Sequence, residues 1–206
     1  MYTTTTPARI DASLHRLIDK VTPGGLPTYL DVRPEPGATV NGCFSNVRAK
    51  VARDGGRMLC GWQLWQWPRV LVEAEFHAVW LSPQGRMVEI TPKPHGERSI
   101  LFVPDARRDY HGEVVDNVRM ALHDDQLVQH FIRVSRAIVQ VMTRSGQPAG
   151  QGHVHVPAEQ IAPLRQAQRF LGCAIESELR EHDPCLCGSG LRYEQCHGHE
   201  LELALA

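Results

Sequence analysis

The stretch Val70-Leu-Val-Glu-Ala-Glu-Phe-His-Ala-Val-Trp-Leu-Ser-Pro-Gln-Gly-Arg-Met-Val-Glu-Ile-Thr91 carries the clearest fold signal in the chain. Its first part, as far as Leu81, is rich in β-branched and aromatic residues, which favour strands. Ser82-Pro-Gln-Gly85 has the composition of a turn, and residues 86–91 resume the strand pattern. The sequence therefore predicts an antiparallel hairpin.

Further strand and helix patterns surround this hairpin. Met58–Trp67 is an apolar run that precedes it, and Ser99–Val103 is another that follows. Upstream, the spacing of apolar residues predicts a helix over Ile10–Val21 and a second over Asn41–Arg53, with Asn41 as its N-cap. We expect an α+β fold in which a helix precedes an antiparallel sheet.

The second half of the chain changes character. Helical spacing predicts a long helix over Val114–Thr143, with a break near His123-Asp-Asp125, and another helix over Pro157–Glu181. Together these patterns divide the chain into an α+β domain, a helical segment, a C-terminal metal-binding knuckle and a tail: residues 1–112, 113–182, 183–200 and 201–206.

The knuckle contains the stretch Asp183-Pro-Cys-Leu-Cys-Gly-Ser-Gly-Leu-Arg-Tyr-Glu-Gln-Cys-His-Gly198. Thiolate sulfur and neutral imidazole nitrogen are preferred zinc ligands, and a closed structural site takes four of them. A disulfide knot is the alternative, but three cysteines cannot pair fully among themselves. We therefore predict a structural Zn²⁺ site with the ligands Cys185, Cys187, Cys196 and His197. His182 and His199 flank the stretch and are alternates to His197.

These residues resemble the SEC-C zinc motif, which is found at the C-terminus of the preprotein translocase ATPase and at the ends of many bacterial proteins. The resemblance covers the four ligand positions and the Pro-Cys-x-Cys-Gly-Ser-Gly core. It implies a bound zinc ion and, by analogy with the translocase tail, a surface that docks a partner. It does not specify an activity, because the motif is appended to many unrelated proteins.

Composition limits the possible environments and partners. The 206 residues carry a formal net charge of −1, which offers no overall attraction to nucleic acid or to an anionic membrane. No apolar run approaches the roughly 20 residues that span a bilayer, and the N-terminal residues contain no apolar signal core. With a thiolate-rich metal site, we expect a reducing cytoplasm and a peptide or protein as substrate or partner.

Cys43 is the cysteine best placed to react. The predicted helix puts it in the first turn, where backbone N–H groups and the helix dipole stabilise a thiolate. A cysteine hydrolase also needs an imidazole to carry the proton and a third group to orient that imidazole. The alternative is that Cys43 only packs in the core. Cys60 and Cys173 lie in apolar contexts, and we predict that both are buried.

His77 lies in the middle of the first strand of the predicted hairpin. If the turn is centred on Pro83, His77 stands directly opposite Glu89 and on the same face of the sheet. A turn longer by one residue places Ile90 opposite His77, and a turn longer by two places Thr91 there. The hairpin therefore predicts Glu89 as the residue that orients His77.

Two segments, Glu73-Ala-Glu-Phe-His-Ala-Val-Trp80 and Gln84-Gly-Arg-Met-Val-Glu-Ile-Thr-Pro92, resemble the transglutaminase-like pattern. In that family a His-Ala-Trp strand is followed across a hairpin by Asp-x-Thr-Pro, and the cysteine begins an upstream helix. The resemblance implies Cys43 as nucleophile, His77 as general base and acid, and Glu89 as orienting acid. This chain departs from the pattern in having Glu for the commoner Asp, and in a short spacing between cysteine and histidine.

Two functions follow as expectations. The first is a papain- or transglutaminase-like cysteine hydrolase or acyltransferase that acts on a peptide or isopeptide amide. Its oxyanion donors would be the backbone N–H of Cys43, with Gln63 and Trp62 as further candidates. The second is a non-enzymatic adaptor that binds a protein partner through the aromatic face of the sheet and the knuckle.

Overall fold

The computed structural model describes residues 4–150 and 153–205. The helices are α1 (Ala12–Val21), α2 (Cys43–Asp54), α3 (Gln126–Ser145), α4 (Ala158–Glu176) and α5 (His197–Ala204). The strands are β1 (Thr28–Asp31), β2 (Arg57–Trp67), β3 (Leu71–Leu81), β4 (Met87–Val88), β5 (Ser99–Pro104), β6 (Val118–Ala121), β7 (Gln147–Gly150) and β8 (His153–His155). The mixed α+β fold with an antiparallel sheet is the one that the sequence predicts.

The main sheet has the strand order β1-β5-β2-β3-β4. Strand β4 pairs with the C-terminal end of β3, and β6 pairs with the N-terminal end along the same edge. After β4 the chain returns to β1, where Val32 and Glu89 form a parallel bridge. The backbone N–H of Arg33 donates to the carbonyl of Glu89 at 2.8 Å. The sheet therefore curls almost into a barrel, and Glu89 lies at the point where the ring of strands closes.

The long β2–β3 hairpin gives the sheet two distinct faces. Successive side chains of a strand point to opposite faces, and cross-strand partners point to the same face. On the outer face, β3 presents Val72, Ala74 and Phe76, which are buried with the apolar residues of α1. On the inner face it presents His77, whose partner on β2 is Gly61.

Helices α1 and α2 cover the outer face. Asp11 caps α1 by accepting hydrogen bonds from the N–H groups of Ser13 and Leu14, at 2.9 and 3.0 Å. The buried side of α1 consists of residues at helical spacing: Leu14, Leu17, Ile18 and Val21. These helices hold β3 from one side. On the inner face Val79 packs with Leu30, Ile100 and Phe102, and the Phe102 ring lies near His77.

The predicted helix over Val114–Thr143 is wrong in its first part. Val118–Ala121 is instead strand β6, which extends the sheet along β3, and α3 begins only at Gln126. Asp125 causes this start, because its carboxylate caps the N–H groups of Leu127 and Val128. The break expected near His123-Asp-Asp125 is therefore the beginning of the helix.

The two long helices form a second core with the knuckle. Helices α3 and α4 pack together with Trp67 and Leu71 of the sheet and with Cys185 and Tyr193 of the knuckle. Helix α4 covers Ala158–Glu176, which is shorter than the predicted Pro157–Glu181. None of the helices within the described ranges is long and apolar enough to cross a membrane.

Candidate active site and metal centre

Cys43 is the first residue of α2, as the position of the helix in the sequence predicts. Asn41 is not the N-cap, because its φ of 61° places it in the left-handed region outside the helix, and Gly42 holds the cap position. No side chain caps the α2 N-terminus among the described residues. The backbone N–H groups in the first turn of α2 therefore have no capping oxygen and are free to bind a negative charge.

Asn46 fixes the loop that precedes Cys43. Its side-chain oxygen accepts from the N–H of Thr39 at 3.0 Å, and its amide donates to the Thr39 carbonyl at 2.8 Å. The same amide donates to the hydroxyl of Thr91 at 3.2 Å. Asn46 thus ties the start of α2 to the segment that carries Glu89, a link that the sequence did not reveal.

His77 and Glu89 form a buried hydrogen-bonded pair. Nε2 of His77 lies 2.5 Å from Oε2 of Glu89, and the two residues are 3% and 0% exposed. The other carboxylate oxygen of Glu89 accepts from the N–H of Thr91 at 2.6 Å. Both oxygens of Glu89 are therefore held, which fixes the orientation of the His77 ring.

The pairing register that the sequence analysis favoured is wrong. Trp80 pairs with Val88 and Leu81 with Met87, and β4 ends there. Continued in that register, Thr91 rather than Glu89 would stand opposite His77. Glu89 still reaches His77 because a diagonal neighbour two residues away on the same face lies within reach of long side chains.

Charge interactions outweigh the effect of burial on the pKa values of His77 and Glu89. Burial disfavours the protonated imidazole, but the charge of Glu89, followed by that of Cys43, raises the pKa of His77 from 6.5 to about 10. Burial likewise disfavours the carboxylate, but the charge of His77 lowers the pKa of Glu89 from 4.5 to about 2. At neutral pH the pair is an imidazolium and a carboxylate.

Lys93 completes this group of charges. Its Nζ lies 3.2 Å from Oε2 of Glu89, 3.4 Å from Nε2 of His77 and 2.8 Å from Oε1 of Gln63. Lys93 could not be predicted from the sequence, because it lies in the loop after the hairpin and has no strand position. The signal for it is that it directly follows the Thr91-Pro92 end of the hairpin.

Cys43, His77 and Lys93 line a cleft of about 290 Å³, which we call the Cys43 cleft. Its wall combines the predicted residues Cys43 and His77 with polar side chains of the inner sheet face and the following loop. Those side chains include Gln63, Trp65, Glu73, Glu75, Thr91, Lys93, His95, Asn117 and Arg119. A larger cavity of about 720 Å³ lies between the start of α3 and the end of α4, and its lining includes none of the three predicted catalytic residues.

Two further cysteines have different environments. Cys60 is buried, as predicted, and burial raises the pKa of its thiol. Cys173 is exposed on α4, so the prediction that it is buried is wrong.

Trp62, the second candidate oxyanion donor, lies on the outer face and donates its indole N–H to Asp105 at 3.3 Å. It is therefore not part of the Cys43 cleft.

The predicted metal ligands lie together in the knuckle. One ligand atom from each of Cys185, Cys187, Cys196 and His197 falls within 4.8 Å of all the others. Sγ of Cys185 is 3.3 Å from Nδ1 of His197, and Sγ of Cys187 is 3.5 Å from Sγ of Cys196. Tetrahedral zinc bonds imply separations of roughly 3.5 to 3.8 Å between such ligand atoms. The cluster therefore fits a metal ion such as zinc.

Tertiary contacts hold this cluster against the helical core. The ring of His197 stacks on Phe170 of α4 with centroids 4.4 Å apart. The hydroxyl of Tyr193 lies 2.6 Å from Nδ1 of His130, and both residues are fully buried. His182, one of the alternate ligands, instead lies 2.8 Å from a carboxylate oxygen of Glu194. Among the described residues, His197 is the histidine of the Cys/His cluster.

Comparison with known proteins identifies the motif in the knuckle and gives no evidence on the function of the Cys43 cleft. Residues 183–198 match the family described as SEC-C motif. Protein translocase subunit SecA of Ralstonia pickettii (strain 12J) is 38% identical over 53 residues, which are 24% of this chain and 6% of SecA. The chain thus spans a small fraction of that relative. No solved structure matches the chain, so the papain- or transglutaminase-like fold remains a prediction.

Proposed function

We propose that the protein is a cysteine-dependent hydrolase or acyltransferase that acts on a peptide or isopeptide amide. Cys43 is the nucleophile, His77 the general base and acid, and Glu89 the residue that orients His77. The observation that carries the proposal is the buried His77–Glu89 hydrogen bond in a cleft that Cys43 also lines. The transglutaminase-like segments of the sequence give the same residues the same roles.

The first half of the reaction forms a thioester. The thiolate sulfur of Cys43 attacks the carbonyl carbon, and the negative charge moves to the carbonyl oxygen. As the C–N bond breaks, the His77 imidazolium gives its proton to the departing amine. A histidine whose pKa is raised to about 10 is protonated at neutral pH and is therefore ready to act as this acid.

The second half releases the acyl group. Neutral His77 takes a proton from water, whose oxygen attacks the thioester carbon. The C–S bond breaks to give the Cys43 thiolate and a carboxylic acid, which then loses its proton to solvent. In an acyltransferase a second amine takes the place of water and yields a new amide. Glu89 holds the imidazole ring in both halves, since its carboxylate accepts from Nε2.

Gln63 is the side chain best suited to stabilise the oxyanion. It is 0% exposed, and its Oε1 accepts from Lys93 at 2.8 Å. Its Nε2 has no hydrogen-bond partner among the described residues. Because a buried donor without a partner costs roughly 1–3 kcal/mol, a substrate oxygen that accepts from it would gain that energy. The backbone N–H of Cys43 is the second donor in this proposal.

The metal of the knuckle is structural zinc in this account. Cys185, Cys187, Cys196 and His197 would fill all four positions of a tetrahedral ion, which would cross-link the last part of the chain. No open position would remain to activate water. Because the three thiols must stay reduced to bind the ion, we expect the protein to work in a reducing cytoplasm.

Acyl-enzyme formation tests the catalytic proposal. With excess p-nitrophenyl acetate we expect a burst of p-nitrophenolate equal to the protein concentration, and an acetyl group on Cys43 by mass spectrometry. His77→Ala should slow the burst by about 100-fold or more. Cys173→Ser, which removes an exposed thiol, is the control. Acetylation of Cys43 no faster than that of Cys173 would contradict the proposal.

Adaptor function is the second candidate, and the surface of the knuckle favours it. Leu186 and Leu191 are 51% and 49% exposed on the knuckle, although large apolar side chains there do not serve the metal site. The SEC-C match at residues 183–198 covers the same surface, and part of the chain is similar to SecA. A protein partner captured by the wild type and lost with Leu186→Ser and Leu191→Ser would support this role. Unchanged capture by that double variant would argue against it.

A further inference from the structure

Glu73 and Glu75 line the Cys43 cleft, and Glu89 is hydrogen-bonded to His77 of its wall. The three carboxylates differ in how they are neutralised. Glu89 has His77 and Lys93 as cationic partners. Glu73 accepts from Nε of Arg119 at 2.9 Å and from the amide of Asn117 at 2.7 Å. Glu73 and Glu89 are therefore already paired within the protein.

Glu75 is the exception. It lines the cleft and is partly buried, and its Oε2 accepts from the indole N–H of Trp65 at 2.7 Å. Within the described residues no cationic side chain pairs with it. Arg119 is engaged elsewhere, by Glu73 and, at 3.0 Å, by Asp116. A partly buried carboxylate with only a neutral donor leaves a negative charge directed at whatever occupies the cleft.

The position of Glu75 relates it to the reacting groups. It precedes His77 by two residues on the same strand face, so the two side chains start roughly 7 Å apart. Its partner across the hairpin is Gln63, whose fully buried Nε2 lacks an acceptor among the described residues. An unneutralised carboxylate and an unpaired amide donor therefore stand side by side in the wall of the cleft.

We propose that the Cys43 cleft selects substrates that carry an ammonium or guanidinium group next to the scissile amide. Glu75 binds that cation, while the oxygen of the scissile carbonyl accepts from Gln63. This inference rests on the proposed function and adds the class of substrate. Glu75 is a specificity-determining residue here, since it binds the substrate without contacting the reacting bond.

Two matched affinity probes test the selectivity. Acetyl-lysyl and acetyl-norleucyl chloromethyl ketones differ in the terminal ammonium, and each alkylates Cys43 with loss of chloride. We expect the lysyl probe to react at least about tenfold faster, which is the scale of one hydrogen bond to a charged group. Glu75→Gln should bring the ratio of the two rates to about one. Glu159→Gln, an exposed carboxylate on α4, should keep the ratio.

The outcomes separate this inference from the catalytic proposal. If alkylation of Cys43 depends on His77 but both probes react at equal rates, the catalytic proposal stands and the cation selectivity is wrong. Selectivity that survives Glu75→Gln also contradicts the inference. If neither rate depends on His77, the catalytic proposal fails.

Binding to the Cys43→Ala protein tests the inference without the nucleophile. In calorimetric titrations, acetyl-lysine amide should bind at least about tenfold more tightly than acetyl-norleucine amide. Glu75→Gln in the same background should remove that difference. Equal affinities for the two amides would overturn the assignment of Glu75.

Discussion

At the scale of single residues, the His77–Glu89 pair shows how a buried histidine remains charged. Burial alone would lower its pKa, yet a carboxylate at 2.5 Å more than offsets this effect. The second oxygen of Glu89 is bound by a backbone N–H, so the carboxylate cannot turn away. This arrangement keeps the ring in one orientation, which a proton carrier beside a nucleophile requires.

The same pair predicts how stability depends on pH. The pKa of His77 rises from 6.5 to about 10 on folding, so its contribution is complete below pH 6.5 and is lost as the pH rises through 10. The pKa of Glu89 falls from 4.5 to about 2, so its contribution is complete above pH 4.5 and is lost as the pH falls through 2. The pair therefore stabilises the fold most between pH 4.5 and 6.5.

We expect Glu89→Gln to lower the free energy of unfolding by about 3–5 kcal/mol in that range, because it leaves a buried imidazolium without its partner. The loss should shrink as the pH rises above 10, where His77 becomes neutral in both proteins. Urea unfolding at several pH values measures it, with Glu159→Gln as the control. A loss that is independent of pH would contradict the role of the charge pair.

At the scale of elements, the position of His77 in the hairpin β2–β3 depends on a glycine, Gly61, which is its partner on β2. A Cβ on Gly61 would lie 2.3 Å from the carbonyl oxygen of Val103 and 2.6 Å from the ring of Phe102. Only glycine therefore lets β5 pair closely with β2 at this point. The ring of Phe102 therefore lies beside His77, with the two ring centroids 6.5 Å apart.

Gly61→Ala should accordingly lower the free energy of unfolding by about 3 kcal/mol, which is near the upper end of the cost of overpacking a core. The cost is high because the carbonyl of Val103, unlike a side chain, cannot rotate away from the new Cβ. Gly85→Ala is the matched control. A Cβ there meets nothing within 4 Å, and only its φ of 77° is penalised, by about 1 kcal/mol. Thermal unfolding compares the two variants, and equal losses would show that the close approach of β5 is unimportant.

The elements also show what the sequence could and could not predict. Cys43 was placed correctly because a helix with apolar spacing begins just before it. The His77–Glu89 contact was predicted from a wrong register, and it survived because diagonal neighbours share a face. Strand β6 was read as helix because four residues of Val118–Ala121 are too few to show a period of two. Lys93 and Asn46 act across loops, where no period exists.

At the scale of the whole molecule, the metal cluster and the Cys43 cleft belong to different cores. The knuckle packs with α3 and α4, whereas Cys43 packs with α2 and the sheet. Tyr193 links the knuckle to α3 through the buried His130, whose other nitrogen lies 2.6 Å from Glu202 of α5. The C-terminal part is therefore held to the helical core by hydrogen bonds as well as by apolar packing.

Tyr193→Phe should loosen this part of the protein. Loss of the hydroxyl leaves a nitrogen of His130 buried without its partner, at a cost of about 1–3 kcal/mol. We expect faster amide hydrogen exchange in α5 and the knuckle. Tyr29→Phe removes a hydroxyl that donates to the carbonyl of Pro7 at 2.8 Å, far from the knuckle in the sequence, and should leave exchange in α5 and the knuckle unchanged. Equal effects of the two substitutions would argue against a structural link at Tyr193.

Metal removal should act locally. We expect about one zinc ion per chain, and Cys196→Ser should lose it while Cys173→Ser retains it, as measured by atomic emission. Chelation should expose the knuckle to proteases and leave most of the sheet intact, because Cys185 packs in the core of α3 and α4 and Cys43 packs in a different core. Full metal content in Cys196→Ser would contradict the ligand set, and collapse of the sheet on chelation would contradict the separation of the two cores.

The central claim, that His77 activates Cys43, is tested most directly by alkylation within one protein. Iodoacetamide is added at neutral pH, and the rates at Cys43 and at the exposed Cys173 are followed by mass spectrometry. We expect His77→Ala to lower the ratio of the Cys43 rate to the Cys173 rate at least about tenfold, because the Cys43 thiolate loses the imidazolium of His77. An unchanged ratio in His77→Ala would contradict it.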